Sequence, residues 1–282
     1  MKKIITPVGT SIFTNFLFGR YKDKIEGFND IYKPIARKSV GEWDNYKEII
    51  EKIKREISIA IKGLSFDDLI NISAEIKSLY QIYKELKDKD LDIYLLCTDT
   101  IDSKLAAEIV KNILEDIKAK EKINFNNIHI RIISSLNINS RNEFNKGMGN
   151  LIAEIYSIAN DYWDNVIFNI TGGFKATIPY LTILAQINRC LIYYIFEGED
   201  ALIHIPVIPL KQEYDYSPLV VYKDILEKLD QGITNKDEFE KIKNSEFFKD
   251  FGNLIWIDEV DGLMELNPIG KIIYEKMKQD KN

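Results

Sequence analysis

Asn169-Ile170-Thr171-Gly172-Gly173-Phe174-Lys175 stands directly after an apolar run at residues 165–168 and directly before a helical pattern at residues 176–187. A strand that ends in two glycines and then starts a helix leaves backbone N–H groups at the helix N-terminus, where they can hold phosphate oxygens. Lys175 adds a positive charge at the same place. Taken alone, a Gly-Gly-x-Lys turn is also open to a steric reading, in which the glycines only let the chain bend. The turn gains weight from its company at other strand ends.

Residues 3–8 form a short apolar run followed by Gly9-Thr10-Ser11, and residues 92–97 form another, followed by Thr98-Asp99-Thr100. Residues 128–133 lead to Ser134-Ser135, and residues 190–196 complete the set. Helical patterns lie between them, best seen at 46–61, 66–87, 104–118 and 149–159. Short buried strands interleaved with helices predict an α/β fold, a mostly parallel sheet with helices on both faces. Ligands of such sheets bind at the carboxyl ends of the strands. Here those ends are small, hydroxylated or glycine-rich, which suits a polar ligand held by backbone and hydroxyl groups. No Gly-x-Gly-x-x-Gly follows the first strand, so the dinucleotide fingerprint is absent.

The chain of 282 residues, 45% hydrophobic and 29% charged, is long enough for one large domain with a small appendage. Met1-Lys2-Lys3-Ile4-Ile5-Thr6-Pro7 reaches proline too soon for a signal peptide. No apolar run approaches the roughly 18 residues of a membrane span, so a cytoplasmic protein without membrane partners is expected. Cys97 and Cys190 lie far apart in apolar runs and read as reduced core thiols. His129 and His204 sit in strand-like runs, which argues against a histidine-rich metal site.

Thr6-Pro7-Val8-Gly9-Thr10-Ser11 with Asn15 at the first strand, Thr98-Asp99-Thr100 at the second, and Asn169 through Lys175 at the fourth together resemble the CRISPR-associated Rossmann fold, the CARF domain. The resemblance covers roughly residues 1–210, with the motifs in the family's order. It implies a Rossmann-like sheet, a homodimer, and a cyclic oligoadenylate messenger bound across the dimer axis. The spacing alone says only that the ligand is polar or phosphorylated.

Residues 211–282 read as a small, winged-helix-like domain. Helical patterns near 219–229 and 236–248 precede apolar runs at 254–257 and 263–266, between which Asp261-Gly262 signals a hairpin, and a last helix spans 271–278. This segment holds 11 basic against 16 acidic residues, a net −5 within the chain's −6. A domain that neutralises DNA phosphates needs the opposite sign on at least one face. The balance argues against DNA binding and for a structural or dimerising role.

CARF proteins are commonly sensors fused to an effector. The HEPN ribonuclease of this group needs an arginine followed by a histidine after four to six residues, and neither histidine here has one. A CARF domain with a winged helix and no effector resembles the family's ring nucleases, which cut the messenger, usually cyclic tetra-adenylate, into linear di-adenylate with a 2′,3′-cyclic phosphate. The resemblance implies Lys175 and Ser11 as catalytic residues, with no metal and no cofactor. It implies ligand contacts from Gly9, Thr10, Asn15, Thr98, Asp99, Thr100, Ser134, Ser135, Thr171, Gly172 and Gly173. Ser11 and Asp99 have an alternative reading as helix caps. Arg141, Asn142 and Lys146 are expected in a loop that either closes over the ring or is simply solvated. The helical insertion at 40–89 reads as a packing or dimer element with nothing that points to chemistry. Two other readings stay open: a sensor whose ligand tunes DNA binding, and an adaptor that signals to a separate effector.

Overall fold

The central strand β1, Lys2–Pro7, buries Ile4 and Ile5 completely and is paired in parallel on both sides. It belongs to a computed structural model that describes residues 1–86, 90–121, 123, 125–136, 141–196, 200–208, 217–259 and 261–279. The partners of β1 are β2, Leu91–Thr98, and β4, Val166–Asn169. Outside β2 lies β3, Phe125–Ile133, and outside β4 lies β5, Leu191–Ile195, all parallel. A sixth strand, β6 (Leu202–Ile205), closes the edge antiparallel to β5. The order is therefore β3-β2-β1-β4-β5-β6. Helices flank this mostly parallel sheet, as the alternation of the sequence predicts, and the architecture is Rossmann-like. The strand β6 contains His204 and is the strand-like run that the sequence shows there, although it lies outside the set of strands that alternate with helices. It is short and half-exposed.

Contacts divide the chain into two units, residues 1–134 with 162–207, and residues 135–161 with 208–282. The core of the first joins Ile4, Phe13 and Phe16 to the apolar face of the insertion, through Ile50, Ile53, Ile76 and Leu79. The helix Ile101–Glu121 packs on β2 and β3, and the helix Ala74–Glu85 packs on β5 and β6. Cys97 and Cys190 are buried free thiols, as expected. Burial pushes the Cys97 thiol up to about 12.

The second unit takes in the helix Arg141–Ala159, which the sequence pattern groups with the sheet. Its buried Leu151, Ile152 and Ile155 accompany contacts to the helix Pro268–Gln279, where Tyr156 donates to the carbonyl of Ile272 at 3.3 Å. This helix begins at Arg141, not near residue 149, so Arg141, Asn142 and Lys146 lie on it and not in a loop. An acidic Glu143 in the first turn favours that earlier start. The rest of the unit has helices at Lys223–Gln231 and Lys236–Lys243, a hairpin of β7 (Ile255–Asp258) and β8 (Leu263–Leu266), and the last helix. The helical run predicted at 236–248 breaks after Lys243, because Ser245 caps a new helix, Glu246–Phe251, by accepting from the Phe248 N–H. In the hairpin turn Gly262 adopts φ +64°, the conformation that its Asp-Gly signal anticipates.

Candidate functional site

The strand order reverses between β1 and β4, whose outgoing chains turn to opposite sides and open a crevice at their carboxyl ends. The turn after β1 carries Gly9-Thr10-Ser11, and the turn after β4 carries Thr171-Gly172-Gly173. These turns touch. A Cβ on Gly9 would lie 3.2 Å from the Gly173 nitrogen, and a Cβ on Gly173 would lie 2.4 Å from Cβ of Pro7. Gly173 also has φ +88°, so it is required by the fold whatever it does for a ligand.

Gly172 has a different neighbour. A Cβ there would lie 2.4 Å from Oε1 of Glu75, a residue of the helical insertion. Glu75 occupies the first turn of the helix Ala74–Glu85, which Ser73 caps by accepting from the Ile76 N–H at 3.2 Å. Its side chain lies at the mouth of the β1 turn, where Oε1 accepts from the Gly9 N–H at 2.9 Å and Oε2 accepts from the Ser11 hydroxyl at 2.7 Å. Ser11 Oγ in turn accepts from the Ala74 N–H at 3.3 Å. Only 1% of Glu75 is exposed, so this acid is buried and met by charge-assisted hydrogen bonds.

Several predicted residues hold this frame together. Asn15 donates to the Ile72 carbonyl at 2.9 Å, tying the first helix, Ser11–Leu17, to the segment before Ser73. Thr171 Oγ1 accepts from the Ile195 N–H at 3.0 Å and so fixes the β4 turn to the end of β5. Asn169, fully buried, donates to Ser78 Oγ at 2.8 Å and accepts from the Thr171 N–H at 3.3 Å. Ser11 is not the cap of its own helix: Thr10 holds that position, and the Ser11 hydroxyl is committed to Glu75.

The crevice encloses a cavity of about 490 Å³. The β1 end contributes Gly9, Thr10, Ser11 and Asn15, and the β4 end contributes Thr171, Gly172, Gly173 and Lys175. The insertion adds Ser73, Glu75 and Lys77, and the end of β5 adds Ile195 and Phe196. Lys77 pairs with Asp200 at 2.5 Å, and its hydrogen bond, then its charge, hold the Asp200 carboxyl below the usual carboxylate range. Phe196 is 57% exposed, an aromatic face at the rim.

Of the remaining predicted residues, Thr98, Asp99, Thr100 and Ser134 do not line this cavity. Thr98, Asp99 and Thr100 shape the start of the helix Ile101–Glu121: Thr98 donates its N–H to Ser103 Oγ at 3.1 Å, and Thr100 Oγ1 accepts from the Ser103 N–H at 3.4 Å. The Asp99 carbonyl accepts from the Val40 N–H at 2.8 Å. Ser134 and Ser135 form the turn after β3, with Ser135 at φ +61°. The side chain of Arg141 lies outside the described residues.

Glu75, Lys77 and Phe196 are among the lining residues that sequence reasoning misses. One signal for Glu75 does exist. Positions 75, 79, 82 and 86 share a helical face, and there an acid heads a stripe of Leu79, Ile82 and Leu86. Among the described residues, no group of three or more His, Cys, Asp or Glu is placed to hold a metal ion. None of their helices is long and apolar enough to cross a membrane.

The fold and crevice define an α/β protein of Rossmann-like architecture with a polar crevice at its topological switch point. Residues 70–208, just under half of the chain, match the model of a family described as CRISPR-associated protein (Cas_APE2256), which supports a CRISPR-associated protein. The matched segment spans β2 to β6 and contains Glu75 and Lys175. No curated protein matches the chain.

Proposed function

We propose that the protein is a ring nuclease, which binds a cyclic oligoadenylate in this crevice as a homodimer and cuts it without a metal. The observation that carries this reading is that one cavity takes in both Ser11 and Lys175, together with the glycine turns of β1 and β4. In the reaction the ribose 2′-oxygen attacks its own neighbouring phosphorus. The O2′–P bond forms, the P–O5′ bond breaks, and the products are a 2′,3′-cyclic phosphate and a 5′-hydroxyl. Such chemistry asks the protein to hold nucleophile, phosphorus and leaving oxygen in line, with positive charge near the phosphate oxygens. Lys175 supplies that charge, and Phe196 offers a face on which an adenine stacks.

A cyclic tetra-adenylate has its own two-fold axis, so a C2 dimer can give it identical contacts from both chains. The test is incubation of the pure protein with cyclic tetra- and hexa-adenylate, followed by mass spectrometry of the products. Linear di-adenylate ending in a 2′,3′-cyclic phosphate is expected from the tetramer, with about half a ring bound per chain in calorimetry. Intact rings after prolonged incubation with stoichiometric protein would refute cleavage, and no heat of binding would refute the ligand.

A further inference from the structure

The Ser11 hydroxyl has one hydrogen to give and two lone pairs. Its hydrogen goes to Glu75 Oε2 at 2.7 Å, and one lone pair receives the Ala74 N–H at 3.3 Å. The second lone pair is left for the cavity that Ser11 lines. Glu75 holds this arrangement firmly. Its other oxygen receives the Gly9 N–H at 2.9 Å, only 1% of the residue is exposed, and its carboxyl and Cγ fill the space that a Cβ at Gly172 would take.

We propose that Glu75 is a positioning residue which fixes Ser11 as a hydrogen-bond acceptor, so that this end of the crevice reads a ribose 2′-hydroxyl and turns a phosphate away. This rests on the reading that the crevice takes a ribonucleotide ring. A phosphate oxygen placed on Ser11 would set acceptor against acceptor, with the Glu75 carboxyl group directly behind. A hydroxyl donor finds a ready partner there, and the phosphates fall to Lys175, which lines the same cavity. The same pair gives the reaction a path for its proton. As the 2′-oxygen bonds to phosphorus, its proton passes to Ser11 Oγ and the proton of Ser11 passes to Glu75 Oε2. The departing 5′-oxygen takes its proton from solvent and Glu75 Oε2 releases its own to solvent, so the step balances with no other reactant.

Glu75→Gln keeps the shape but offers one oxygen, which can serve the Gly9 N–H or the Ser11 hydroxyl and not both. Calorimetry with cyclic tetra-adenylate and its 2′-deoxy counterpart, in a Lys175→Ala background that prevents turnover, reads the preference for the 2′-hydroxyl. The Lys175→Ala protein should bind the ribose ring about tenfold more tightly than the deoxy ring, the scale of one hydrogen bond. Adding Glu75→Gln should shrink that preference to about twofold or less, and Ser11→Ala, which leaves Glu75 in place, should do the same. A preference that survives either change overturns the inference. So does an equal loss of affinity for both rings with the preference intact, since that is what mere damage to the fold would give. If neither ring gives a heat of binding with the unaltered protein, the ribonucleotide reading itself fails and takes this inference with it.

Discussion

Gly172→Ala would put a methyl group into the side chain of Glu75. Its Cβ would lie 2.4 Å from Oε1, 2.7 Å from Cδ and 2.8 Å from Cγ, where ordinary contact begins at 3.4 Å. Two responses are open to the fold. The β4 turn can shift, which carries an overpacking penalty of about 1–3 kcal/mol. Alternatively Glu75 can leave, which forfeits its hydrogen bonds to Gly9 and Ser11 at roughly 1.5–3 kcal/mol each. The cheaper response sets the cost at about 1–3 kcal/mol, or roughly 2–4 °C of melting temperature per kcal/mol. Glu75→Ala removes all three clashing atoms. In that background Gly172→Ala should therefore cost close to nothing, and a double-mutant cycle by urea unfolding should return a coupling of about 1–3 kcal/mol. Gly173→Ala is the control, because its clash is with Pro7 and its φ is +88°, so its penalty should not depend on residue 75. If Gly172→Ala costs the same with and without Glu75, the carboxyl group does not sit on the glycine turn, and the arrangement of Ser11 built on it fails too.

Lys175→Ala should abolish cleavage of cyclic tetra-adenylate while the dimer persists in analytical ultracentrifugation; turnover at the native rate would remove Lys175 from the chemistry. Cleavage should continue in excess EDTA, because the attacking hydroxyl belongs to the substrate, and complete loss restored by magnesium or manganese would transfer the chemistry to carboxylates. The two buried thiols should stay unreactive toward a disulfide reagent at pH 8 until the protein unfolds, since burial holds the Cys97 thiol up to about 12. The folded value lies above the ordinary one near 8.5. The stability that Cys97 contributes is therefore whole below about pH 8.5 and declines as pH rises from there toward 12, a fall that urea titrations at pH 8 and pH 10 would register.

The parallel strands were legible because each is a short apolar run that ends in a turn signal, as at Gly9-Thr10-Ser11 and Thr171-Gly172-Gly173. The edge strand Leu202–Ile205 was legible only as a strand-like run around His204; its antiparallel pairing at the sheet edge was not, because the sequence of one short half-exposed strand does not carry its direction. The partner of the helix Arg141–Ala159 was equally hidden: its apolar face shows in the sequence, but the helix that covers it lies more than a hundred residues onward. The glycines of the β4 turn were legible as special, though for mixed reasons. Gly173 answers to Pro7 and its own backbone angle, and Gly172 to a side chain from the insertion.

That side chain was the hardest to foresee. Ser73-Ala74-Glu75 reads as an ordinary helix start, with a capping serine and an acid in the first turn, and such an acid usually faces water. Its partners, Gly9 and Ser11, are 66 and 64 residues earlier, a distance no local pattern spans. Yet the buried placement has an energetic meaning. A carboxyl group at 1% exposure loses its hydration, and its two donors only offset that loss; an apolar side chain of similar volume would commonly serve stability as well or better. Sheet packing alone gives no reason to keep an acid, a serine and three glycines at one switch point, when Leu79 and Ile82 on the same helical face show how readily the site could have been closed with hydrocarbon. The polarity stands at the place where a doubly wound sheet receives a ligand, which is what the proposed positioning role of Glu75, carried by the helical insertion, requires.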